Sequence, residues 1–171
     1  MTAVSFRTEQ GKNGDFTFRL PVPEWGEGGK RFAGYYRNLT ALLSSVSPGK
    51  SGFTSVTGTG RAAVGEVGMT TVLLLCRFYF GKMLESCFLD TVTWDEEGNA
   101  VPLARLIGKK AAKKAAREGS DGWYAGKTGV IFCRYRVETD PESGRLRAVF
   151  RETGSAPFLC RKKECRFRKL C

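Results

Sequence analysis

Apolar and polar residues alternate most clearly over Asp15 to Leu20, where Thr17 and Arg19 separate Phe16, Phe18 and Leu20. That period of two predicts a first strand burying one face. Pro21 and Pro23 are expected to end it, and the glycines at 26, 28 and 29 to supply a turn. The period then changes. Phe32, Tyr35, Tyr36, Leu39, Leu42, Leu43 and Val46 recur at spacings of three and four, placing all seven on one stripe of a helix from about residue 30 to 46. Pro48 and Gly49 stop it.

The glycine-rich stretch 52 to 68 predicts either an interrupted strand pair or a long loop. Thr70 to Phe80 and Met83 to Trp94 are rich in Val, Leu, Phe and Thr, with Gly81 and Lys82 between them. They predict an antiparallel hairpin at the centre of the sheet. Asp95 to Asn99 is turn chemistry. From Leu103, the spacing of Leu103, Ile107, Ala111 and Ala115 predicts a second helix that carries lysines on its other faces and stops at Gly119. Ser120 to Lys127 reads as a polar turn, and Val130 to Glu138 with Leu146 to Glu152 as a closing strand pair. Helices separated by runs of adjacent strands indicate an α+β domain, mainly antiparallel, with two helices packed on one face of the sheet.

Length and charge refine this picture. The 171 residues suit one domain, expected over 1–157 and followed by a basic tail over 158–171. The net charge of +11 is unevenly placed. Residues 109–118 hold five basic side chains and one acidic, and residues 158–171 hold six and one, so these two segments account for +9 of it. An anionic partner is therefore expected to meet Lys109, Lys110, Lys113, Lys114 and Arg117 on the helix, and Arg161, Lys162, Lys163, Arg166, Arg168 and Lys169 in the tail. Interleaved Phe158, Phe167 and Leu170 would suit base stacking or apolar insertion beside phosphate contacts. The competing explanation is a merely solvated, solubilising face.

The chain has no histidine. That excludes Ser/His/Asp and Cys/His nucleophile arrangements, HExxH metal sites and imidazole proton transfer. Carboxylate pairs remain open: Glu85 with Asp90, or Asp95 with Glu96 and Glu97. Glu85 and Asp90 differ in strand parity, and the other group reads as a solvated turn. Pro48-Gly49-Lys50-Ser51 ends like a Walker A loop, but Ser44 stands where the first glycine should be and a helix precedes it. Of the six cysteines, Cys160, Cys165 and Cys171 could join Cys133 in a four-thiolate zinc site, although zinc sites usually contain a tighter CxxC spacing. The alternative is that Cys76, Cys87 and Cys133 are buried strand thiols. No cofactor is expected. The amino-terminal residues lack the pattern of a secretory signal, and the longest wholly apolar run, Val72 to Cys76, is far short of the ~20 residues of a membrane helix. A soluble, cytoplasmic protein is the expectation.

The early strand, the aromatic helix FAGYYRNLTALL and the run TVTWDEEGNAVPLARLIGKKAAKKA together resemble the domain of unknown function at the carboxyl end of bacterial anti-sigma factors of the lysozyme-sensing type. The matching residues are Thr93, Trp94, Asp95, Gly98, Leu103, Leu106 and Ile107, in a strand, Asp and Gly turn, Leu-rich helix order. The resemblance implies a bacterial binding module with no catalytic residues to carry over. Such domains are exported or membrane-tethered, which conflicts with the expected absence of a signal. The combined expectation is a non-catalytic binding domain presenting a basic helix and tail to an anionic or protein partner. A nucleic-acid-binding protein and a carboxylate-dependent enzyme are the alternatives.

Overall fold

The computed structural model describes residues 3–46, 48–65 and 68–159. The chain begins with a hairpin of β1 (Ser5–Asn13) and β2 (Phe16–Glu24), then helix α1 (Gly29–Ser44) and the single turn α2 (Pro48–Ser51). Three long strands follow, β3 (Ser55–Val64), β4 (Thr70–Phe80) and β5 (Met83–Trp94). After α3 (Leu103–Ile107) and α4 (Lys109–Arg117) come β6 (Gly122–Ala125), β7 (Gly129–Thr139) and β8 (Leu146–Pro157). The strands form two sheets, one of five in the order β1-β2-β3-β4-β5 and one of three in the order β6-β7-β8. Every pairing is antiparallel except β2 with β3, which α1 connects as a crossover. The domain is α+β and mostly antiparallel, as expected.

Alternation along β4 explains the layering. Val72, Leu74, Cys76 and Phe78 face α1 and pack with Phe32, Tyr36, Leu43 and Trp94. Leu73 and Leu75 face the other way, against Tyr124, Cys133 and Tyr135 of the small sheet. A strand buried on both faces reads as a continuous apolar run, and TVLLLC is one. The outer face of the small sheet is covered in turn by Leu106, Ile107, Ala111 and Ala112 of α3 and α4. Because the strands divide between two stacked sheets, each sheet carries its own helices, and these lie on the two outer faces of the stack.

Several local expectations are corrected. The prolines do not end β2, which runs on to Glu24. A two-residue turn pairs Asn13 with Phe16, and Pro21 and Pro23 stand opposite Thr8 and Phe6. At those alternate positions the backbone nitrogen faces away from β1, and β2 pairs with β3 only through Thr17–Arg19. No ladder bond is lost there. Within the glycine-rich stretch, Ser55–Val64 forms one continuous strand, and a Cβ at Gly58 would lie 2.5 Å from the Pro21 ring and one at Gly60 2.5 Å from Phe6. Side chains at these positions would displace the residues that lie across β3. Leu42 is 67% exposed instead of core-facing. It sits roughly 80° around the helix from Phe32 at ~100° per residue, at the edge of the buried stripe. The predicted polar turn after α4 contains the strand β6.

The second helix is broken in two at Gly108, whose φ of 86° lies in the region that favours glycine. In an unbroken helix the carbonyl of Leu106 would accept from Lys110. Here it accepts instead from the amide of Leu159, at 2.7 Å.

Thr71 joins the two sheets. It is fully buried, its hydroxyl lies 2.7 Å from that of Thr93, and it accepts from the amide of Ala125 in β6 at 3.0 Å. Replacing Thr71 with Val leaves that amide and the Thr93 hydroxyl without a partner in a closed interior. Urea unfolding should show a loss of about 2 kcal/mol, and a loss under about 0.5 kcal/mol, the ordinary scale of a surface substitution, would show that the bond does not hold the sheets together.

Candidate functional site

Alanines at 111, 112 and 115 give α4 a narrow apolar stripe that rests on the small sheet, with Ala115 buried. The stripe turns Lys109, Lys110, Lys113, Lys114 and Arg117 outward, and all five are exposed. Among the described residues only Lys114 has an ion pair, an i to i+4 contact of 3.6 Å with Glu118. Lysines at the amino-terminal turn lie at the positive end of the helix dipole, where cations are disfavoured. The arrangement thus concentrates positive potential that the described part of the fold leaves largely uncompensated.

The structure adds a connection that residue spacing did not reveal. β8 delivers Phe158 onto the cluster formed by Met69, Val101, Leu106 and Val130. Leu159 then lies over Gly108, within 2.9 Å of where a Cβ would be, while its amide bonds Leu106. The last described residue is therefore docked at the start of α4, one residue before Lys109. Arg161, Lys162, Lys163, Arg166, Arg168 and Lys169 lie outside the described residues, but the segment holding them is covalently attached at this point. Phe158, expected as a stacking group, is engaged in packing.

Of the four zinc-site candidates, the described residues include only Cys133. Cys133 is fully enclosed between the sheets beside Leu73 and Tyr124, and burial pushes its thiol up to about 11. Cys160, Cys165 and Cys171 lie outside the described residues. Cys76 and Cys87 are also buried strand thiols, with Cys76 pushed up to about 12 mainly by burial. Among the described residues, no three His, Cys, Asp or Glu side chains are grouped to hold a metal.

The carboxylate pair Glu85 and Asp90 is separated. Glu85 is exposed and Asp90 is buried. Five residues along a strand place their backbones roughly 16 Å apart at ~3.3 Å per residue, whereas the wider glycosidase geometry spans at most about 9.5 Å. Asp95 caps its own turn, accepting from the Asn99 amide at 2.7 Å, and Arg31 of α1 donates to the Asn99 side chain. Pro48 to Ser51 forms the single turn α2.

Sequence reasoning passed over the partner of Asp90. Its Oδ1 accepts from the Tyr35 hydroxyl at 2.7 Å, while Oδ2 is buried with no partner. Burial raises its pKa, against the lowering effect of the Tyr35 bond. The same burial, with the Asp90 carboxylate second, raises that of Tyr35. A lone aspartate in the apolar run LESCFLDTVTW was the available signal, but its partner is 55 residues distant in sequence.

Neither a protein-family model nor a curated protein matches the chain. Among solved structures it is similar to a DUF3298 family protein from Pseudomonas aeruginosa PAO1, with 10% identity, 67% of this chain and 62% of that one covered, and a TM-score of 0.47. It is also similar to a DUF3298 member from Bacteroides fragilis NCTC 9343, with 12% identity, coverage of 88% and 90%, and a TM-score of 0.44. DUF3298 is a domain of unknown function. The chain spans 62% of the length of the Pseudomonas protein. Neither similarity bears on the anti-sigma-factor resemblance. No helix among the described residues is long and apolar enough to cross a membrane.

The Asp90 geometry generates a pH-dependent prediction. Its carboxyl is held above the ordinary value, so the folded state binds the proton more tightly than the unfolded chain does. The resulting stability is fully present below the unfolded carboxyl pKa and is lost as pH rises through the folded one. Asp90→Asn removes the charge and keeps an acceptor for Tyr35. At pH 7 the variant should be more stable by on the order of 1 kcal/mol, with the advantage disappearing in acid. Thermal melts across the pH range measure this, and a variant less stable than the parent at pH 7 would contradict it.

Proposed function

We propose that this chain is a non-catalytic binding module of the cytoplasm that engages a polyanionic partner through α4 and the basic segment following Leu159. Five outward cations on α4 share one region with the start of a second cationic segment. The observation that supports this best is the bond from the Leu159 amide to the Leu106 carbonyl, which holds Leu159 itself next to the start of α4. A solubilising role alone gives no reason for +9 of the +11 net charge to be confined to residues 109–118 and 158–171 of the sequence.

The partner class is an acidic protein surface or a nucleic acid, and salt dependence separates them. Phosphate neutralisation on duplex DNA gives a log-log slope of about −0.9 per contact, so engagement of all five α4 cations predicts a slope of about −4.5. An acidic polypeptide partner has no densely condensed counterions and should give a much shallower one.

Fluorescence anisotropy with labelled single-stranded and duplex DNA, RNA and polyglutamate tests the reading. Lys109→Glu combined with Lys113→Glu should weaken polyanion binding at least tenfold without lowering the melting temperature, since both residues are exposed and acidic groups suit a helix amino terminus. Unaltered binding by that variant, or no binding to any of these polyanions at about 50 mM salt, would overturn the proposal.

A further inference from the structure

The two sheets do not close on each other along their whole length. Between the β3-β4-β5 face and β8 lies an open cleft of about 240 Å³. Its floor is the cross-strand row Thr59, Leu75 and Leu89, with Leu73 beside it and Ala148 and Phe150 as the opposite wall. All the floor side chains project from one face of the large sheet, the face that meets the small sheet. The small Ala148 leaves the gap.

Two arginines flank this apolar floor. Arg61 on β3 and Arg77 on β4 line the cleft on either side of the Thr59–Leu75 row. Each is held in place by a neutral group. The Arg77 guanidinium donates to the Thr59 hydroxyl at 3.1 Å, and that of Arg61 lies 5.3 Å above the Tyr124 ring. Tyr124 in turn donates to Glu152. Among the described residues neither arginine is ion-paired. An arginine fixed at the mouth of an apolar cleft and lacking a carboxylate partner is complementary to a carboxylate with an aliphatic tail, because its planar fork of donors matches that group.

We infer that this cleft is a binding site for a free medium-chain aliphatic carboxylate, with the head group on Arg77 or Arg61 and the tail along Leu73, Leu75 and Leu89 beneath Phe150. The volume sets the length. At the ~30 Å³ of one liquid water per heavy atom, 240 Å³ admits about eight heavy atoms, which suits an eight-carbon chain whose carboxylate oxygens reach out to the arginines at the mouth. This site lies between the sheets, away from the outer face that carries α4, and does not depend on the polyanion reading.

Isothermal titration of the full chain with octanoate tests the site, with octanol and octylammonium as controls that keep the tail and change the head. Octanoate should bind saturably at one site. Octanol should bind at least tenfold more weakly, and octylammonium should not bind measurably. Arg61→Gln with Arg77→Gln should weaken octanoate at least tenfold while leaving octanol unaffected. Ala148→Phe, which fills the cleft from its wall, should block both ligands with the melting temperature maintained. Lys109→Glu with Lys113→Glu should change nothing. No saturation up to about 10 mM octanoate, equal affinity for octanol, or full affinity in the arginine double variant would overturn the assignment. A loss of octanoate binding in the α4 variant would do so equally, by placing the anion on the outer helix.

Discussion

Burial of β4 on both faces is the constraint from which the rest of this molecule follows. One set of its side chains needs a helix above it and the alternate set needs a second layer below, so neither α1 nor the small sheet is optional. At ~25 cal/mol per Å² of apolar surface removed from water, side chains such as Val72, Leu73 and Leu74 are held by contacts that come from opposite directions. The cost is that two polar backbones must meet in a dry interface. Thr71 and Thr93 solve this by giving the Ala125 amide an acceptor at the seam.

The stack dictates where charge can go. With the inner faces of both sheets occupied, cations collect on the outermost surface of α4 and at the margin of the intersheet cleft. Asp90 is the exception, a carboxyl drawn under α1 because Tyr35 reaches one of its oxygens. Buried polar groups generally need such a partner, and here only half of that need is met.

The elements legible in the sequence were those whose own pattern decided their place. The β4-β5 hairpin was readable because a long apolar run, a Gly-Lys turn and a second run need no distant information. α1 was readable from its stripe, apart from its flank at Leu42. The rest depended on contacts remote in sequence. β1 is an edge strand of largely exposed residues and shows no clean alternation. β2 tolerates two prolines because its ladder pairing with β3 covers only Thr17–Arg19. β3 is a strand in spite of its glycines because Phe6 and Pro21 lie across them. Gly108 breaks a helix of good periodicity because Leu159 claims the carbonyl.

The candidate site was legible to the same degree. Five cations on one helix could be read directly, whereas their proximity to the start of the tail rests on the contact between Leu159 and Leu106. The grouping of Arg61 and Arg77 is not legible in the sequence, since only the register of β3 on β4 puts them around one apolar row.

Native-state hydrogen exchange, read residue by residue, tests the two-faced role of β4 most directly. If β4 is the shared core of both layers, amides of Val72 to Cys76 and those of Val130 to Cys133 in the small sheet should open together, with the same free energy and the same denaturant dependence. Exchange of β6, β7 and β8 through a separate, much lower-energy opening that leaves β4 protected would contradict it.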